Sequence, residues 1–259
     1  MFLNTYADIN HADSYSKLEF PGCYYLAYRN LPEIINKYVR KGKAVDFGCG
    51  SGRSTRFLQN LGFDAIGIDI SESMINKARE IDPAGKYQLI NDGDFSSLPQ
   101  GEFDLVLSIF TFDNIPGEKW RAKLFEGLKN LLNDNGIIVC LDSTPELYVN
   151  EWTSFSTKDY PENRKVKSGD IVRDIIIDAG NPIPCEDIFW TDDDYKKTFT
   201  KAGLELIHSH KIFGKPNEPF NWINETKIAP WIIYVLKKKT FSPIKMLENY
   251  FMGFESLHY

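Results

Sequence analysis

The sequence predicts an α/β fold built on a doubly wound, mostly parallel sheet whose last strand runs antiparallel. Three observations lead there. The stretch AVDFGCGSG over 44–52 reads as a short buried strand, Ala44 to Phe47, entering a turn that Gly48, Gly50 and Gly52 allow to be tight. A helical pattern over 54–61 stops at Gly62, and a second strand, Ala65 to Ile68, ends in Asp69, where such a sheet holds an acidic residue against a ribose diol. Apolar strands and amphipathic helices then keep alternating as far as Asp142.

Composition sets the limits. The 259 residues are enough for a full α/β core, with about a third of the chain left for a cap or lid. Hydrophobic residues at 42% and charged residues at 25% exclude a disordered class. No apolar run approaches the roughly 18 residues of a spanning helix, and MFLNTYADIN lacks the basic start of a secretory leader, so the expectation is no membrane and a cytoplasmic location. Cys23, Cys49, Cys140 and Cys185 lie far apart and read as small buried residues, so no metal site is expected. A net charge of -6 opposes nucleic acid as a partner.

Taken in order, residues 1–42 form a tyrosine-rich N-terminal helical cap, with Tyr15, Tyr24 and Tyr28 near His11 and a helical pattern from Leu26 to Val39 interrupted at Pro32. Residues 43–144 form the core. Within it Ser71 caps a helix, the third strand covers Tyr87 to Ile90, the fourth Phe103 to Ser108, and a helix over 117–132 leads to the fifth, IIVCL. Residues 145–190 break the alternation and read as an inserted β lid, a hairpin of 166–178 and 187–190 around AGNPIP. Residues 191–238 complete the core with a helix capped by Thr191 and closed by Gly203, then an antiparallel pair of strands at the sheet edge. A long loop containing Glu218, Trp222 and Glu225 joins that pair. Residues 239–259 read as a C-terminal helix with an apolar stripe, which either docks on the parent domain or forms a homodimer interface.

These motifs resemble the class I methyltransferases that use S-adenosylmethionine. Asp46 followed by Gly48, Gly50 and Gly52 matches their first motif. The resemblance implies a Rossmann-like seven-stranded sheet and S-adenosyl-L-methionine as cofactor, with S-adenosyl-L-homocysteine as product. It implies that Gly48 and Gly50 pass beneath the methionine half, that Asp46 orders its amino group directly or through water, and that Asp69 holds the ribose. Ile70 and Met74 would flank the adenine, Asp94 would accept from its amino group, and Phe95 would offer a backbone amide; Asp92 competes with Asp94. Nicotinamide cofactors are the minority reading, because Arg53 stands where the third glycine of a dinucleotide fingerprint belongs.

Strand ends in an open parallel sheet face the ligand, so Ser108, Phe110, Asp113 and Asn114 are expected at the cleft. That position carries SIFT and not the NPPY type of tetrapeptide found in methyltransferases of nucleic-acid bases. Tyr15, Phe110, Trp152, Arg173, Trp190 and Trp222 are the candidate substrate contacts; Asp113, His11 and Glu151 are the candidate bases. A metal-assisted mechanism would need carboxylates clustered near Asp142, and the sequence around it supplies too few. The reading is therefore methyl transfer to a nitrogen or oxygen of a small molecule. A non-catalytic cofactor-binding protein and a protein methyltransferase are the alternatives.

Overall fold

The computed structural model describes residues 21–178 and 182–239. The first part of the cap, residues 179–181 of the AGNPIP stretch and the expected C-terminal helix with its dimer face lie outside the described residues. The rest of the cap is two short helices, α1 (Gly22–Arg29) and α2 (Leu31–Tyr38), broken at Asn30 just before the proline at 32.

The core alternates as expected: β1 (Lys43–Phe47), α3 (Arg53–Asn60), β2 (Asp64–Asp69), α4 (Glu72–Ile81), β3 (Lys86–Leu89) and β4 (Phe103–Ile109). Then come α5 (Glu118–Leu131) and β5 (Leu132–Ser143). Ser71 caps α4, its hydroxyl accepting from the Met74 amide at 3.4 Å. Further on, β6 (Phe155–Ser156), β7 (Ile171–Ile176) and β8 (Ile183–Ile188) precede α6 (Asp192–Lys201), β9 (Leu204–Ile212) and β10 (Trp231–Lys238). Thr191 and Asp194 form a capping box at the start of α6.

Seven strands make one sheet in the order β3-β2-β1-β4-β5-β10-β9. The pairs from β3 to β5 are parallel, and β10 is antiparallel to both of its neighbours. Of the last two strands only β9 is an edge. The run WIIYVL makes β10 buried on both faces, whereas β9 alternates exposed and covered residues, so β10 takes the interior position. One face of the sheet packs under the cap and the lid; the other packs under α5 and α6, where the Phe112 and Phe125 rings stack at 3.8 Å.

The inserted lid is a separate three-stranded antiparallel sheet, β6-β7-β8. Its hairpin strands are shorter than the sequence predicts, and the two-residue β6 adds an edge that had no periodic signal. Among the described residues no helix is long and apolar enough to cross a membrane.

Gly52 shows how tightly the first turn is built. It sits at φ 84°, and a Cβ there would lie 2.6 Å from the Tyr87 hydroxyl. Gly52→Ala should therefore lower stability by roughly 1–3 kcal/mol, measured as a reduced urea midpoint at unchanged slope.

Candidate active site

A cavity with an empty volume of about 1000 Å³ opens at the carboxyl ends of β1, β2 and β4. Its floor is the turn from Gly48 to Ser51, with the N-terminus of α3 behind it. The turn is held in place from the neighbouring strand, since the Gly48 and Cys49 amides donate to the Ile68 carbonyl at 2.9 and 3.1 Å. Gly50 lies at φ 51°, and a Cβ added there would meet nothing within 4 Å. Packing therefore leaves the space over Gly50 open.

Asp69 ends β2 on the cavity wall. Its two oxygens accept from the Gly50 amide at 2.9 Å and the Ser71 amide at 2.8 Å. Burial raises its pKa, and those amides oppose the shift. Each oxygen keeps a further lone pair for a ligand hydroxyl. Next to it Ile70 is 49% exposed although apolar, and Met74, Ile90 and Asp92 continue the wall.

Asp46 does not reach the cavity directly. It is fully buried behind the turn and does not line the cavity; one oxygen accepts from the Ser54 and Thr55 hydroxyls at 2.7 and 2.6 Å, and the other has no partner. Burial pushes its pKa up to about 6. Asp94 and Phe95 also lie off the cavity. The Asp94 carboxylate is exposed and takes the Ser96 amide at 3.0 Å in a local turn, which leaves its competitor, Asp92, on the wall. Phe95 turns into the core beside Phe47. Ser108 is wholly buried with an unpartnered hydroxyl, because β4 runs one residue further and presents Ile109, Phe110 and Thr111 to the cavity.

Phe110 and Asn114 belong to this cavity and to a second, of about 370 Å³ empty volume, lying under the lid. Phe110 is the single non-glycine residue with positive φ among those described, at 54°, and its ring packs 4.5 Å from Trp231 and 5.9 Å from Tyr24. A backbone held in this sparsely populated conformation marks a functional position. The second cavity is lined by aromatic rings and by three carboxylates, Asp113, Asp174 and Asp187. Asp113 accepts from the Ser143 hydroxyl and the Asn114 amide group, both at 2.9 Å, and Asp187 accepts from the Tyr148 hydroxyl at 3.0 Å. Burial raises the pKa of all three, and repulsion by Asp113 adds to the shift of Asp174 and Asp187; that of Asp174 reaches about 7.

The other expected substrate contacts are built into the scaffold. Trp152 is fully buried and donates to the Leu147 carbonyl at 2.8 Å. Trp190 covers the buried Arg121 guanidinium at 4.3 Å, away from both cavities. Arg173 lies on the outer face of the lid, paired with Glu186 at 2.8 Å, because the β7 pleat turns Val172 and Asp174 inward. Trp222 donates within its own loop, to the Lys215 carbonyl and to Glu218. Glu151 is tied by Ser156 and Thr157 hydroxyls and the Thr157 amide, outside both cavities. His11 and Tyr15 lie outside the described residues. Sequence reasoning missed Asp174, Asp187, Tyr24 and Trp231 as cavity residues. For Asp174 a signal existed: an aspartate between Val172 and Ile176 on the inward face of a strand.

A family model described as a methyltransferase domain matches residues 45–140. An uncharacterised methyltransferase of Geobacillus is 32% identical over 120 residues, covering 45% of this chain and 55% of that protein; the chain spans about half the length of several curated relatives that it matches. An S-adenosylmethionine-dependent methyltransferase structure from Clostridium acetobutylicum aligns with a TM-score of 0.58 at 14% identity, covering 92% of this chain and 99% of that one. One from Mesorhizobium loti gives 0.59 at 17% identity, covering 82% and 98%. Residues 45–140 thus match a methyltransferase domain, and the chain shares its fold with those S-adenosylmethionine-dependent methyltransferase structures.

The raised pKa values fix a direction for stability. Asp174 ionises near 7 when folded but near 3.8 when unfolded, so its contribution is fully present below about pH 4 and is lost as pH rises through about 7. Asp174→Asn should accordingly raise the melting temperature of the unliganded protein by several degrees at about pH 8, by less at about pH 5, and leave it nearly unchanged below about pH 4, read by differential scanning calorimetry.

Proposed function

We propose that the chain binds S-adenosylmethionine in the larger cavity and transfers its methyl group to a nitrogen or oxygen of a small molecule held in the smaller one. The observation that carries this reading is that Phe110 and Asn114 line both cavities, so the two lie against each other there. A protein substrate would call for a broad surface groove, and a non-catalytic binder for a second cavity filled by its own side chains. Here that space is open and is closed in by the cap, the lid and β10.

The residues present fit the cofactor. Space over Gly50 suits a chain of ligand atoms, Asp69 has spare lone pairs for a ribose diol, and the exposed Ile70 offers an apolar surface to a flat base. When bound, the sulfonium supplies an already activated methyl group. What remains for the protein is to position the acceptor, exclude water and take up a proton. Phe110, fixed at the junction, is placed to set where an acceptor stops. Asp113, hydrogen-bonded on both oxygens and lining the acceptor cavity, is held where it can receive a proton.

Isothermal titration of wild-type protein should show binding of S-adenosylmethionine and none of NAD. Asp69→Ala should weaken that binding by about 10–100-fold, the loss of charge-assisted hydrogen bonds. Tight NAD binding, or an unchanged affinity in a folded variant, would remove the reading.

A further inference from the structure

The cavity under the lid has an excess of buried negative charge. Asp113 comes from the turn after β4, Asp174 from β7 and Asp187 from β8, three elements brought together only by folding. Asp142 lies behind them and adds to the repulsion, as the raised pKa values of Asp113, Asp142 and Asp187 record. Tyr148 and Cys185, the other titratable groups facing the cluster, are held neutral by burial. The one cation whose charge reaches the cluster, Arg121, lies between the Trp190 and Tyr195 rings at 4.3 Å from each.

The carboxylates differ in how they are met. Asp113 and Asp187 each accept hydrogen bonds, but Asp174 Oδ1 has no partner among the described residues, and Asp174 is 2% exposed and lines the cavity. A buried carboxylate with nothing to donate to it is strongly destabilising. The natural remedy is a ligand that brings donors and positive charge. No group of three His, Cys, Asp or Glu among the described residues is arranged to hold a metal ion, so the carboxylates are too spread for a single small cation. Beside them Tyr24, Phe110, Phe155 and Trp231 form a continuous aromatic wall, with ring centroids 4.5–5.9 Å apart. Rings of this kind attract an organic cation through their faces and cover its apolar body.

We propose that the acceptor is a small amine with an apolar or aromatic body, bound as its ammonium ion by Asp174 together with Asp113 and Asp187, and methylated on nitrogen. The assignment rests on the methyltransferase reading above and narrows it. Binding brings the ammonium against carboxylates poised to take its proton. One N–H proton passes to a carboxylate and on to solvent, freeing the nitrogen lone pair. That pair forms the new N–CH3 bond as the S–CH3 bond breaks, and the electron pair of the broken bond stays on sulfur. The products are the N-methylammonium ion and S-adenosylhomocysteine. An alcohol brings no charge to the cluster, and a carboxylate acceptor is repelled by it.

The test uses the full chain with benzylamine, phenethylamine, cyclohexylamine and putrescine, each matched against benzyl alcohol, cyclohexanol and benzoate. Binding is read by thermal shift in the presence of S-adenosylhomocysteine, and turnover by mass of the methylated product with S-adenosylmethionine. At least one amine should raise the melting temperature and be methylated, while the alcohols and benzoate do neither. Asp174→Asn, an isosteric change that removes only charge, should cut the amine's affinity or kcat/KM by about 10–100-fold and leave S-adenosylmethionine affinity within about twofold. Preference for an alcohol or benzoate, an unchanged amine response in Asp174→Asn, no response to any amine in protein that binds S-adenosylmethionine, or turnover abolished by EDTA would each overturn it. Failure to bind S-adenosylmethionine at all would instead remove the methyltransferase reading, and the amine thermal shift would still report on the cavity alone.

Discussion

A carboxylate taken out of water must be met by donors or by charge, and this requirement organises the molecule. Glu225 shows it in full. It is completely buried in the loop between β9 and β10, and its oxygens accept from the Thr153, Ile223 and Asn224 amides and from the Cys23 thiol. One side chain thus ties the cap, the lid and that loop to each other. Asp69 does the same for the glycine turn, joining Gly50 to the first residues after β2. In both places the donors are backbone amides, which cannot turn away, so the carboxylate fixes backbone position as well as charge.

Those two ties decide where the cavities lie. Asp69 holds the floor of the larger one, and Glu225 holds α1 and the lid over the smaller. Between them β4 ends in Phe110, whose left-handed backbone turns the chain sharply into the segment carrying Asp113 and Asn114. Trp231 closes the far side, its indole donating to the Cys23 carbonyl at 2.9 Å. Cap, lid and last strand therefore meet around one ring. An acceptor cavity assembled from three distant pieces of chain is closed only when all three are folded, which is how the scaffold couples folding to the exclusion of water.

Sequence gave the local features and missed the assembled ones. Strand, glycine turn and helix cap follow from short-range stereochemistry, and β1 to β5 stand within a few residues of their expected places, although β5 extends well past IIVCL at both ends. Asp69 sits at a strand end, where periodicity alone places it. The resemblance assigned Asp46 to the ligand directly or through water, and two hydroxyls in the first turn of α3 take one of its oxygens. Asp92 and Asp94 could not be separated by spacing, because an Asx turn and the Gly93 backbone decide which one faces inward. Aromatic residues proved a poor guide in the lid. Trp152 and Trp190 carry large apolar surfaces that the lid's own core needs, whereas Tyr24 and Trp231, from the cap and the last strand, reach the cavity. The carboxylates near Asp142 looked too few because Asp113, Asp174 and Asp187 are far apart along the chain.

The acidic cavity is also where the fold departs from the rule that Glu225 and Asp69 obey. A scaffold selected for stability alone would carry Asn or Val at 174, since among the described residues nothing partners Asp174 Oδ1 and Asp113 repels it. Arg121 does not correct this. None of its nitrogens has a hydrogen-bond partner, and its charge is set among rings, offsetting part of the charge on Asp142 and Asp113 while leaving Asp174 unmatched. Matched carboxylates hold the architecture and the unmatched one faces empty space beside the cleft. That division separates the acids that build this protein from the acids available to a ligand, and it does so on the hydrogen bonds each one makes.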